Sequence, residues 1–253
     1  MQLPKNEKEI MMKKSVLWGC LLAGELLLSS SVIAGVRPQI TRVVAYTADR
    51  ETAVEIINSS SEAYMVQSWI EDLQGNDDNI PIVLTPPVMK LEGNSQGKLR
   101  LVVMKGAVPQ DRESVYWLAI QEIPPKAKNT AVNRLIVAVR SRIKVFVRPD
   151  GLDSAGARAA PKSLTWSLER DGGKTWLKAT NPTPYHISFG ELSVGSASAR
   201  KMLLDDKNTM TPPFSSMRYA LPAAVKAGNI TITWSGMHDW GGAGEEYQAD
   251  LAL

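Results

Sequence analysis

Residues 133–149, NRLIVAVRSRIKVFVRP, alternate for longer than an ordinary strand does. Leu135, Val137, Val139, Ser141, Ile143, Val145 and Val147 take one set of alternate positions, and Arg134, Arg140, Arg142, Lys144 and Arg148 fall on the other. Side chains alternate between the faces of a strand but recur every three to four residues on a helix, so this spacing predicts one β-strand with an apolar and a basic face. At full extension it would reach roughly 55 Å, against roughly 17–20 Å for a usual strand. Taken alone, the stretch has two readings. It bends between two sheets with a bulge near Ser141, or it offers an edge to another chain, with backbone hydrogen bonds giving affinity and alternate side chains giving specificity.

From Val36 on, the text before it is mostly β. Runs rich in β-branched and aromatic residues at 41–46, 52–57, 64–71, 80–84, 98–104 and 114–122 are separated by turn signals at 58–61, 75–79, Gly93-Asn94 and Pro124-Pro125. Counting the long stretch, seven strands at this spacing predict an antiparallel sandwich of immunoglobulin-like type. Residues 150–162, DGLDSAGARAAPK, are small and polar and read as a linker or hinge. Beyond them, 164–168, 175–180, 186–192, 217–220 and 229–234 are short strand candidates, predicting a second all-β domain over 163–253. The first domain covers 35–149, so the fold class is all-β with two β-sandwich domains.

Residues 1–34 stand apart. Lys13 and Lys14 precede an apolar run to Leu28, and Val32-Ile33-Ala34 resembles a small-residue cleavage signal, so the segment reads as an export signal removed after Ala34. Glu25 interrupts the run, and its clean apolar part falls short of the ~20 residues a spanning helix needs. Removal takes away four Lys/Arg and three Asp/Glu, leaving 25 against 23. The basic face of the long stretch is therefore local, not part of a generally cationic, nucleic-acid-binding surface. The one cysteine, Cys20, leaves with the leader, and a chain without thiols can live in an oxidising compartment on its core alone.

Little in the chain suits catalysis. His186 and His238 are its two histidines, no serine sits in a G-x-S-x-G elbow, and zinc requires three or four clustered ligands. Gly241-Gly242 suits a turn better than a phosphate site, and basic residues without interleaved aromatics make a poor platform for single-stranded nucleic acid. The expectation is a non-enzymatic protein with no cofactor and no metal.

Several phrases occur together in order: Thr41-Arg42-Val43-Val44-Ala45-Tyr46, the YMVQSWIE of 64–71, Thr85-Pro86-Pro87, the PQDRES of 109–114, Glu122-Ile123-Pro124-Pro125, the RIKVFVRP of 142–149 and Asn181-Pro182-Thr183-Pro184-Tyr185. In number, order and spacing they closely resemble the periplasmic chaperones of the chaperone-usher pilus pathway. The resemblance implies two immunoglobulin-like domains in an L-shaped arrangement, with a cleft that holds a pilus subunit whose unfinished sandwich is completed by the long strand. It places Leu135, Val137 and Val139 in the subunit's groove and the subunit's C-terminal carboxylate between Arg42 and Lys144. It also implies that Glu113, Arg148 and Asp239 form a charged cluster across the domains. The partners it implies are pilus subunits and an outer-membrane usher, in the periplasm, with self-association as one way the free protein could mask its strand. The short span at 126–131 and the lack of a cysteine pair resemble the family's short-loop branch. A structural or adhesive two-domain protein is the competing expectation. In that case the long strand would be core, and Arg42 and Lys144 incidental.

Overall fold

The computed structural model describes residues 35–126, 137–195, 199–205, 209–222 and 229–252. The expected leader and Leu135 lie outside the described residues, as does most of the span assigned to the short-loop branch.

The first domain consists of β1 (Val36–Pro38), β2 (Arg42–Tyr46), β3 (Thr52–Asn58), β4 (Tyr64–Glu71), β5 (Ile82–Thr85), β6 (Val88–Leu91), β7 (Ser95–Val103), β8 (Ser114–Ile123) and β9 (Arg140–Arg148). One sheet runs β1-β3-β7-β5 and the other β2-β9-β8-β4-β6. Each sheet turns its apolar side to the other, as period-two alternation dictates. Val54 and Ile56, Val66 and Ile70, Leu99 and Leu101, and Ile143, Val145 and Val147 meet in one buried core.

The long stretch is shorter as a strand than its alternation predicts: β9 begins at Arg140, and residues 137–139 are not assigned to it. The expected bulge at Ser141 is absent, since β8 and β9 pair without a register shift from Ser114↔Val147 to Gln121↔Arg140. On its other side β9 pairs with β2 in parallel, but only from Arg42↔Lys144 to Tyr46↔Arg148. Residues 140–143 therefore have a strand on one side alone among the described residues.

Residues 150–162 are more ordered than a small, polar linker suggests. They hold helix α1 (Ser154–Ala159) and most of a 3-10 turn (Ala160–Ser163). Asp153 caps the helix, its carboxylate accepting from Gly156 N at 2.7 Å. The second domain follows as β10 (Thr165–Asp171), β11 (Lys174–Asn181), β12 (Ile187–Val194), β13 (Lys201–Met202), β14 (Met210–Thr211), β15 (Ser215–Ala220), β16 (Asn229–Met237) and β17 (Ala243–Ala252). Its sheets run β10-β11-β15 and β13-β12-β16-β17, with β14 on β12. Leu177, Ile187, Leu192, Ile232 and the rings of Phe189, Tyr219 and Trp234 fill its core.

Candidate functional site

The site is built on β9 and on what faces it from β2 and from the second domain. Arg148, at the end of β9, is 2% exposed. Its Nε donates to Glu113 Oε1 at 2.8 Å, and its Nη1 and Nη2 donate to Asp239 Oδ2 and Oδ1 at 2.7 and 2.6 Å. Glu113 immediately precedes β8 and Asp239 lies in the turn between β16 and β17, so one guanidinium joins the two domains bidentately. Burial works against its charge, but the hydrogen bonds to Asp239 and the charge of Glu113 prevail and push its pKa up. Burial likewise acts against the Asp239 carboxylate, and Arg148 and Ser154 outweigh it and hold its pKa down.

Glu113 is held from the second domain too. Its Oε2 accepts from His186 N at 2.8 Å and lies 3.2 Å from His186 Nδ1, while its own N donates to Pro184 O at 2.9 Å. Buried Asn181 shapes the loop that supplies these groups, donating to Tyr185 O at 2.7 Å and accepting from Thr183 N at 3.0 Å. Gly241 completes the contact. It has φ of +93°, and a Cβ there would stand 2.0 Å from Thr41 Oγ1 of the first domain. The turn expected at Gly241-Gly242 is therefore also an interdomain contact.

Arg42 and Lys144 are register partners on β2 and β9, and each is partly buried. Lys144 Nζ reaches Thr209 Oγ1 of the second domain at 3.3 Å and lies 5.8 Å from the centre of the Trp117 ring. Arg42 stacks over Phe146 at 5.6 Å, and its buried Nε has no hydrogen-bond partner among the described residues. Burial, with Arg42's charge added, pushes the Lys144 ammonium down to about 8. Burial also pulls Arg42 down, against the opposing charges of Asp239 and Glu113. Two desolvated cations side by side favour an anion between them.

The other basic residues of β9 are engaged differently. Arg140 lies over Trp69 at 4.7 Å and Arg142 over Trp117 at 4.9 Å, and both pair with buried Glu71, Arg142 at 2.7 Å. The aromatic platform that seemed missing does exist, contributed by β4 and β8. An arginine already lies over each ring, and Glu71 offsets the charge of both arginines.

Of the expected groove-filling residues, Val137 is 61% exposed and Val139 half-buried. The β8 ladder still reaches Val139, whose carbonyl accepts from Glu122 N at 3.0 Å. The structure thus brings together Arg42 with Lys144, and Glu113 with Arg148 and Asp239. His186 and Thr209 were missed. The 181–185 phrase directly before His186 was the available signal for it, and nothing around Thr209 marks that residue; both matter through what the other domain places against them.

Residues 35–153 match the family model of the N-terminal domain of PapD, a pili and flagellar-assembly chaperone, and residues 159–248 match that of the PapD C-terminal domain. The probable fimbrial chaperone LpfB of Escherichia coli O157:H7 is 35% identical over 228 residues, covering 88% of this chain and 92% of the relative. Chaperone protein FimC of Escherichia coli K12 is 31% identical, covering 88% and 89%. Among solved structures, the YadV chaperone superposes with a TM-score of 0.72 at 30% identity, covering 86% of this chain and 100% of its own. A chain from the complex of Salmonella enterica SafA pilin with the SafB chaperone does so at 0.72 and 26%, covering 88% and 99%. This chain belongs to the PapD-like family of pilus-assembly chaperones. It has that family's two-domain, all-β fold and is a fimbrial chaperone. Among the described residues, no helix is long and apolar enough to cross a membrane.

Proposed function

We propose that the chain works in the periplasm, holding one pilus subunit by lending it the edge at residues 137–143 and then passing it to an outer-membrane usher. The observation that carries this reading is where the open edge of β9 ends. β2 occupies that edge from Lys144 onward, and at the junction stand Arg42 and Lys144, two partly buried cations whose pKa values burial lowers. A subunit strand laid along 137–143 would continue the row that β2 begins, its terminal carboxylate meeting the two cations. A strand ending there runs in the direction of β2, and so parallel to β9.

Val137 and Val139, with Leu135 ahead of them, then fill a groove on the subunit. Burying each fully is worth roughly 1.5–3 kcal/mol before ordering costs. The Glu113, Arg148 and Asp239 cluster fixes the cleft between the domains. Binding is stoichiometric and involves no catalysis, cofactor or nucleic acid. The test is coexpression with candidate subunits bearing intact or truncated C-termini, followed by native mass measurement. A one-to-one complex requiring both the subunit's carboxylate and Lys144 is expected. Complexes indifferent to Arg42→Ala and Lys144→Ala would refute the anchor.

A further inference from the structure

Glu122, on β8, is 3% exposed, and its side chain plays no part in the site above. Its Oε2 accepts from Val36 N at 2.7 Å and its Oε1 from Val139 N at 3.3 Å. One buried carboxylate thus ties the first residue of β1 to the last residue before β9, which belong to different sheets. Among the described residues, these two backbone amides are the hydrogen bonds its side chain receives. Gly35 is buried beside it, and a Cβ on Gly35 would stand 2.9 Å from Glu122 Oε2 and 2.9 Å from the Tyr64 ring.

If the leader is removed after Ala34, as the export reading requires, hydrolysis of the Ala34–Gly35 bond consumes one water and leaves a carboxylate on Ala34 and an ammonium on Gly35. That ammonium is next in the chain to an amide already bonded to Glu122. We propose that Glu122 is a positioning residue that couples maturation to subunit binding: the new Gly35 ammonium pairs with its carboxylate, which in turn holds Val139 and so fixes the root of the lent segment. A charge-assisted hydrogen bond is about twice as strong as a neutral one, and a buried carboxylate gains most from a partner of opposite sign. The inference rests on the export reading and on the role proposed for residues 137–143.

The test compares three proteins: the chain beginning at Gly35, the same chain with Ala34 retained, and the Gly35 chain with its α-amine acetylated. Hydrogen exchange at the Val139 amide is read against that of Leu118 at pH 6.5. Exchange at least tenfold slower in the Gly35 chain than in the other two is expected, with the difference abolished by Glu122→Gln. The protection should also fade as pH rises through the titration of the amine, which lies near ~8 in an unperturbed chain. Equal rates in the three proteins, or a difference that ignores pH, would overturn the proposal, as would an exported protein whose mass shows another first residue. Subunit capture is scored separately on the same three proteins, so a failure of the chaperone reading is not mistaken for a failure of the clip.

Discussion

Arg148 and Lys144 lie four residues apart on one face of β9, and their surroundings are opposite. Arg148 is nearly inaccessible, and two carboxylates and a hydroxyl-lined pocket meet its guanidinium from both domains. Lys144 has a threonine hydroxyl, an indole and another cation. Burial acts against both charges; the carboxylates around Arg148 reverse it and raise that pKa, whereas Lys144, with Arg42 beside it, is pushed down. A buried charge with its counter-charges in place is a structural joint, whereas one without them is a site for something that brings a charge.

The largest effect should come from breaking the compensated side. Arg148→Ala leaves Glu113 and Asp239 without their cation, and losing one partner of a buried pair costs about 3–5 kcal/mol. Urea unfolding measures it, and a loss below about 1 kcal/mol would mean that Arg148 is not the joint described.

Lys144→Met should move the other way. The folded pKa is about 8 against an ordinary 10.5, so at pH 7 the fold carries a charge it disfavours. Removing it should stabilise the free protein by up to about 3 kcal/mol, at 1.36 kcal/mol per pKa unit, while weakening subunit capture by about 2–5 kcal/mol. A variant that is destabilised and still captures subunits would reverse the comparison.

The pH dependence sharpens the same point. Because the Lys144 pKa is depressed on folding, the unfolded chain holds more protons between about 8 and 10.5, and stability contributed at this site rises with pH across that window. Wild type should therefore approach Lys144→Met as pH climbs from 8 to 10.5. Capture should run in the opposite sense, holding steady below pH 8 and declining above it as the cation is lost. Calorimetric titrations at pH 7 and 9.5 would show this, and a pH-independent affinity would count against a carboxylate at Lys144.

Asp239→Asn should have the smallest effect. The side chain is 31% exposed, so solvent screens part of its pairing, and a loss of about 1 kcal/mol is expected from chemical unfolding.

Where alternation was strong, the sequence was plain to read. β4 spans the residues its pattern marked out, and Ile143, Val145 and Val147 lie in the core as their spacing requires. Alternation said less about where pairing stops. The pattern of 133–149 continues past the start of β9 because Val137 and Val139 keep its period without a second strand beside them. β17 escaped notice because polar and small residues dominate its ten positions. Helix α1 escaped because SAGARA has no large apolar residue, although the Asp153 cap was a usable signal. The charged site was legible only through resemblance. Residues 113, 148 and 239 are far apart in the chain, and no local rule distinguishes Arg148 from the many other basic side chains.

The parallel pairing of β2 with β9 sets a zero mark. Because β2 begins at Arg42 opposite Lys144, a subunit strand held there by its carboxylate, as proposed above, would have its last residue fixed and every side chain behind that end counted from there. A subunit one residue too long would present the opposite face of its strand all along the edge. On that proposal the five residues of β2 act as the stop of a ruler, and length becomes something this protein can measure.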